Sequence, residues 1–329
     1  MDPIQRVGVV GCGLMGSGIA EVCARAGLEV IVREPDQKLI EAGKARIERS
    51  LQRAQKSKKM TAEEGESAAG LISYTTDLAE FAGCDLVVEA IVEDQAAKIE
   101  VFEKLDAIVT REDALLTSNT SSIPIMSLAV QTGRPSQVCG LHFFNPVPVL
   151  DLVELVPSLA TSDETLSRLE GFASDVLGKS VIRAKDRAGF IVNALLVPYL
   201  LSAIRMAESG FATPEHIDAG MVKGCNHPMG PLALTDLIGL DTTMAIAECL
   251  YDEFKEPVYA TPPLLSRMVE AGLLGRKSGR GFYDYSKRER GTPQRPILGP
   301  AARTSGGASP SNWPKFLWKR PASSWAFCR

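Results

Sequence analysis

A chain of 329 residues has room for two domains and a sizeable core. Its composition, 45% hydrophobic and 23% charged, is that of a soluble globular protein, and no apolar run approaches the roughly 18 residues of a membrane span. The net charge of −4 hides a basic tail: nine Lys/Arg and one Glu lie from Lys287 onward, leaving a body of 27 basic and 39 acidic residues that argues against nonspecific nucleic-acid binding.

MDPIQRVGVVG carries no charged-then-apolar signal segment, and the expected location is cytoplasmic. RVGVVGC (6–12) is an apolar strand, followed by a helix pattern over 14–26 and a second strand, LEVIVR, over 28–33. A charged helix pattern runs from Asp36 to Lys59. Further apolar strands are expected at 84–91 (CDLVVEAI), 114–118 (ALLTS) and 138–143 (VCGLHF), with helical segments between most of them. Strands alternating with helices imply an α/β fold, a Rossmann-type doubly wound parallel sheet with right-handed crossovers.

After Asp186 the texture changes. GFIVNALLVPYLLSAIRMAESG is a long apolar helix pattern, TPEHIDAGMVKG opens on a Thr-Pro start signal, and helix continues over 232–255 and 261–272. The expected organisation is a Rossmann domain over 1–186 and a smaller all-helical domain over 187–286, whose apolar surplus suits a dimer interface. A Pro/Gly/Ser-rich tail over 287–329 is expected to be disordered. Seven cysteines show no CxxC spacing and read as reduced core thiols, with no disulfide framework and no metal site.

Gly11, Gly13 and Gly16 form G-x-G-x-x-G directly after a strand and at the opening of a helix, with Leu14 and Met15 inside the motif. Gly11 permits a tight turn, Gly13 lets the backbone approach a pyrophosphate, and Gly16 lets the helix pack closely. The helix N-terminus faces the phosphate charge. Glu34 ends the second strand, where a carboxylate accepts hydrogen bonds from ribose hydroxyls and repels a 2′-phosphate. NAD is therefore expected rather than NADP.

Ligands of an open parallel sheet sit outside the carboxyl ends of its strands. ALLTS runs there into Asn119, Thr120, Ser121 and Ser122, and VCGLHFF carries His142 and Asn145. A carbon that gives a hydride to NAD must also lose its hydroxyl proton, a task suited to imidazole, which titrates near neutral pH. His142 is the candidate. Glu154 interrupts the next apolar run, and the Pro-Val-Pro turn between them allows a fold-back in which the carboxylate holds the ring, as in triad enzymes. Spacing alone leaves contact open, and a histidine satisfied within the core is the alternative. Asn193 is another polar residue in an apolar run, and on its own it reads first as a helix residue bonded to backbone.

SNTSS at 118–122, GLHFFNPVPV at 140–149, the glutamate of LVEL, D-x-x-GFIVN at 186–193, PMGP at 228–231 and GRKSGRGFYDY at 275–285 together resemble the (S)-3-hydroxyacyl-CoA dehydrogenases. The resemblance covers about residues 4–286 and is nearest to the stand-alone, bacterial-type 3-hydroxybutyryl-CoA dehydrogenases. It implies oxidation of a (3S)-3-hydroxyacyl-CoA to the 3-ketoacyl-CoA, or the reverse, in fatty-acid or butanoate metabolism. His142 would be the base and Glu154 its partner, with Ser121 and Asn193 orienting the substrate. Glu93, Lys98, Asn145 and Lys277 would contact NAD alongside the glycine loop and Glu34. On the basic stretch RIERSLQRAQKSKK, Ser50 and either Lys56 or Lys58 would contact CoA. The family's chains usually end near GFYDY, so the residues after Ser286 have no counterpart and suggest an altered reading frame or an extension. Two other readings stay open: a dehydrogenase of a free hydroxy acid such as L-gulonate, and a noncatalytic NAD-binding protein like the related lens crystallins.

Overall fold

A computed structural model describes residues 3–286 of the protein. The basic tail, for which disorder was expected, and Cys328 within it lie outside the described residues. Strands β1 (Arg6–Val10), β2 (Glu29–Arg33), β3 (Ile72–Thr75), β4 (Leu86–Glu89), β5 (Leu115–Ser118), β6 (Val138–Phe143), β7 (Leu152–Pro157) and β8 (Ser180–Arg183) form one sheet. Their order is β3-β2-β1-β4-β5-β6-β7-β8. From β3 to β6 every neighbouring pair is parallel. Helices α1 (Leu14–Arg25), α2 (Gln37–Lys56), α3 (Ala62–Gly70), α4 (Gln95–Ile108) and α5 (Ile125–Ala129) lie in the connections, and α6 (Asp163–Gly171) precedes β8. The sheet is Rossmann-type, with apolar side chains buried on both faces: Val9, Val30, Leu141 and Leu155 on one, Val10, Val87, Phe102 and Leu116 on the other.

The far edge departs from the parallel pattern and bears out the fold-back expected between His142 and Glu154. β7 runs antiparallel to β6, and β8 runs parallel to β7. Residues 144–151 are too few for the dozen or more that a parallel crossover needs, whereas a hairpin fits. The turn is closed by Val149 and Leu150 N–H donating to Pro146 O, at 2.9 and 3.0 Å. The Lys179 ammonium donates to the carbonyls of Val147 and Leu150, each at 2.8 Å. β3 and β8 have no counterpart among the expected strands, because ISYT and SVIR are short, partly exposed edge pieces with little apolar signal.

The remaining helices are α7 (Val192–Glu208), α8 (Pro214–Gly224), α9 (Pro231–Ile238), α10 (Leu240–Phe254) and α11 (Pro263–Glu270). α7 starts later than its apolar pattern because Gly189 and Phe190 take positive φ, 73° and 46°. The continuous pattern over 232–255 is broken into α9 and α10 at Gly239, with φ of 106°. Thr213 caps α8 by accepting from His216 N–H, as the Thr-Pro signal predicts. Leu201, Ile204, Leu232, Leu250, Leu265 and Phe282 share a third core. Two buried aspartates pin the last segment. Asp236 accepts from Phe282 N–H, Tyr283 N–H and the Tyr285 hydroxyl, and Asp218 accepts from the Tyr283 hydroxyl.

Six described cysteines are free thiols, four of them buried, while Cys225 is exposed rather than in the core. Among the described residues no helix is long and apolar enough to cross a membrane.

Candidate active site

Because β1, β4, β5 and β6 are neighbours and parallel, their carboxyl ends lie side by side. The glycine loop follows β1, Glu89 closes β4, Asn119–Ser122 follow β5, and His142 lies near the end of β6. Topology gathers residues more than a hundred positions apart along one edge.

In the glycine loop, Gly11 has φ of +92°, and a Cβ there would meet Ala90 O at 2.7 Å. A Cβ on Gly16 would lie 1.9 Å from Gly11 O. Gly13 is different: its Cβ would meet no described atom within 4 Å. The fold itself does not require glycine there, and the bare backbone is left open to a ligand, which fits a dinucleotide. Leu14 and Met15 open α1, Leu14 exposed and Met15 packed on the core. Glu34 reaches the loop and accepts from Cys12 N–H. Arg33, its neighbour, donates instead to Thr76 O at 3.2 Å. Arg46 on α2 donates to Cys12 O at 2.7 Å and holds that helix against the loop.

His142 and Glu154 are register partners across β6 and β7. The His142 Nδ1 to Glu154 Oε2 distance is 2.8 Å. His142 is 6% exposed and Glu154 is fully buried, so the pair is shielded from water. Phe144 and Phe190 flank the imidazole, with ring centroids at 4.6 and 5.5 Å. Glu154 Oε1 accepts from the Ile191 and Val192 N–H groups at 3.0 Å each, at the start of α7. One carboxylate therefore holds the ring on one side and caps a helix of the other half on the other. Asn193, half-buried, is the next residue of that helix.

Behind the β5 turn lies a polar network. Glu93 Oε1 accepts from the Thr120 hydroxyl, Ser121 N–H and the Ser122 hydroxyl at 2.5, 3.0 and 2.9 Å. Burial raises Glu93, but the Lys98 ammonium and these three donors outweigh it and hold its carboxyl below the usual range. Lys98 is 1% exposed and pairs with Glu89 at 2.6 Å and Glu93 at 3.4 Å, so its ammonium faces carboxylates. Ser121 O accepts from Gly189 N–H at 3.2 Å, and Asn119 Oδ1 accepts from Phe143 N–H at 2.8 Å. The turn is thus fastened both to the approach to α7 and to the residue after His142.

Among the described residues, no hydrogen bond joins the other candidates to this cluster. Asn145 is exposed on the hairpin turn. Lys277 forms its ion pair with Asp241 in the helical half. Ser50, half-buried on α2, hydrogen-bonds Glu21 of α1. Lys56 ends α2 and Lys58 follows it at φ of 57°, both exposed. Lys58 lines an open recess of about 400 Å³ between α2 and α3, with Gln55, Met60 and Glu64. Glu89 was missed in the sequence, although CDLVVEAI buries an acid in an apolar strand by the same pattern that singles out Glu154.

Comparison with known proteins agrees with this geometry. Residues 6–187 match the 3-hydroxyacyl-CoA dehydrogenase NAD binding domain, and residues 189–285 match the 3-hydroxyacyl-CoA dehydrogenase C-terminal domain. The chain is 62% identical over 284 residues to the 3-hydroxybutyryl-CoA dehydrogenase of Mycobacterium tuberculosis, covering 86% of this chain and 99% of the relative. It aligns with the crystal structure of M. tuberculosis FadB2 at a TM-score of 0.86 and 62% identity, covering 87% and 100% of the two chains. For the (S)-3-hydroxybutyryl-CoA dehydrogenase PaaH1 of Ralstonia eutropha the TM-score is 0.81 at 45% identity, covering 86% and 100%. The chain belongs to the 3-hydroxyacyl-CoA dehydrogenase family and is an NAD-dependent oxidoreductase.

Proposed function

We propose that the protein interconverts (3S)-3-hydroxybutyryl-CoA and acetoacetyl-CoA, with His142 as the general base and acid. The observation that carries this reading is the 2.8 Å contact between His142 Nδ1 and Glu154 Oε2 in a water-shielded position. A carboxylate only accepts, so Nδ1 carries its hydrogen toward Glu154 and Nε2 is left to take the substrate hydroxyl proton. Glu154 steadies the imidazolium that forms, and its two backbone donors on α7 keep the carboxylate from turning away. Bound NAD supplies the hydride acceptor for oxidation and the hydride donor for reduction. Ser121 and Asn193 orient the substrate oxygen and carbonyl, so that fixed dipoles meet the developing charge.

Gly11, Gly13, Leu14, Met15, Gly16 and Glu34 hold the cofactor, and Glu93, Asn145 and Lys277 complete its contacts. Lys98 serves that site through Glu93, since its ammonium is enclosed. Ser50, Lys56 and Lys58 receive the CoA end, supported by the exposed positive charge after α2. Residues 1–186 carry the glycine loop and most of the cofactor contacts, while residues 187–286 supply Asn193, Lys277 and the surface that pairs two copies. Exposed Ile191, Leu195, Met206 and Phe211 on and around α7 support a homodimer, and a cytoplasmic location suits the acyl-CoA substrate.

The test is NADH-linked reduction of acetoacetyl-CoA, run beside a free hydroxy acid and longer acyl-CoA chains. Rapid turnover of acetoacetyl-CoA that collapses in His142→Ala is expected. Equal rates in the two proteins would sink the proposal.

A further inference from the structure

We infer that Glu89 is a positioning residue that sets the geometry of the Thr120–Ser122 turn through two separate chains of hydrogen bonds, an inference that rests on the proposed role of Ser121. Glu89 is 0% exposed at the end of β4 and can touch neither solvent nor substrate. Its Oε1 accepts from Lys98 Nζ at 2.6 Å and Ile91 N–H at 2.7 Å, and its Oε2 accepts from the Ser118 hydroxyl at 2.6 Å.

Both oxygens lead to the same place. Along one route, Ser118 Oγ accepts from Thr120 N–H at 3.2 Å. Along the other, Lys98 reaches Glu93 Oε2 at 3.4 Å, and Glu93 Oε1 collects Thr120, Ser121 and Ser122. One ammonium is divided between two carboxylates, the nearer one closed off and the farther one facing the turn.

A buried ion pair is weak evidence for stability, because desolvation consumes most of its attraction, and an apolar pair of the same volume often serves as well. Two routes converging on one backbone segment give the pair a geometric task instead. Without the Glu89 charge, Lys98 has only Glu93 to neutralise it. The ammonium is then drawn toward Glu93, and the turn that hangs from Glu93 moves with it. A displacement near 1 Å at a substrate-orienting group costs on the order of 10²-fold in rate.

The experiment compares wild type with Glu89→Gln, Lys98→Met, the double variant and Ser118→Ala. The readouts are acetoacetyl-CoA kinetics, NADH affinity by fluorescence, melting temperature and hydrogen exchange of residues 118–123. Glu89→Gln is expected to lower kcat at least tenfold while KM changes less, with faster exchange in that segment. The double variant should fall no further than Lys98→Met alone, since the two groups act as one unit. Ser118→Ala cuts one route with little change in volume, so it serves if Glu89→Gln does not fold, and it should give a smaller loss of kcat with the same faster exchange.

Unchanged exchange at 118–123 would overturn the inference whatever the activity. Additive effects of Glu89→Gln and Lys98→Met would do so too, as would a rate loss explained wholly by unfolded protein. A wild-type enzyme inert toward acetoacetyl-CoA would instead remove the proposed function, while the exchange data would still decide the link between Glu89 and the turn.

Discussion

Gly16 stands so close to Gly11 that a Cβ on the first would lie 1.9 Å from the carbonyl oxygen of the second. That contact is with backbone and cannot be relieved by a side chain turning away. Gly13, two residues from Gly11, would place its Cβ in space free of any described atom within 4 Å. Two glycines of one motif are therefore needed for different reasons. Gly16→Ala should destabilise the fold and weaken NADH together. Gly13→Ala should leave the melting temperature nearly unchanged and weaken NADH about tenfold or more, a change of about 1.4 kcal/mol in binding. Fluorescence titration beside thermal melts separates the two, and equal melting losses would contradict the assignment.

The divided duties of Glu154 separate its variants from those of its partner. His142→Gln removes the base and should lower kcat by about 10²–10⁴-fold with little loss of stability. Glu154→Ala also orphans the part-buried N–H groups of Ile191 and Val192, at up to about 1–3 kcal/mol for each donor left unpaired. It should lose both activity and several degrees of melting temperature. A Glu154→Ala protein as stable as His142→Gln would show that α7 does not depend on this cap.

Glu93 carries a pH dependence. Its folded-state carboxyl lies below the ordinary range: burial raises it, but Lys98 and the Thr120, Ser121 and Ser122 donors outweigh that. A carboxyl depressed on folding contributes stability above its unfolded value, about 4.3, and loses it as pH falls through the lower folded value. Glu93→Gln should melt below wild type near neutral pH, and the gap should narrow as the buffer is taken below about pH 4. Melting curves across that window check it. A gap independent of pH would mean that the charge of Glu93 contributes nothing to the fold.

Lys179 holds the hairpin from outside. Its ammonium bridges the carbonyls of Val147 and Leu150, and the space left by Gly18 on α1 receives Val147, 2.9 Å from where a Gly18 Cβ would be. Lys179→Met keeps most of the stem and removes both bonds. The expected loss is about 1–3 kcal/mol of stability, together with a several-fold lower kcat, because the turn joining β6 to β7 loosens. Urea melts and steady-state kinetics measure both. An unaffected kcat would show that register alone positions His142.

Much of this was legible in the sequence for physical reasons. Val7, Val9 and Val10 mark a buried strand, and Gly11, Gly13 and Gly16 mark the turn that follows it. His142 and Glu154 stand out because polar groups are costly to bury without partners. The alternation of strands and helices does not give the direction of β7; the Pro-Val-Pro turn allows a fold-back there, and the length and bonding of residues 144–151 decide it. The edge strands β3 and β8 carry too few apolar residues to announce themselves. Lys98 resembles a ligand-binding lysine, but its ammonium is enclosed between Glu89 and Glu93, partners that no local pattern links to it. The clamp of Asp218 and Asp236 on the GFYDY segment joins residues 46 to 65 positions apart, beyond the reach of any local pattern.

The sharing of Glu154 between the imidazole and α7 also bears on how portable the pair is. A designer who copied residues 138–157 onto another sheet would carry both polar side chains and their register. The graft would leave behind Ile191 and Val192, which occupy the second oxygen of the carboxylate, and Lys179, which closes the turn. The transplanted glutamate would be free to swing, and the ring would lose its fixed heading. A faithful copy requires three pieces of chain brought together by the whole fold.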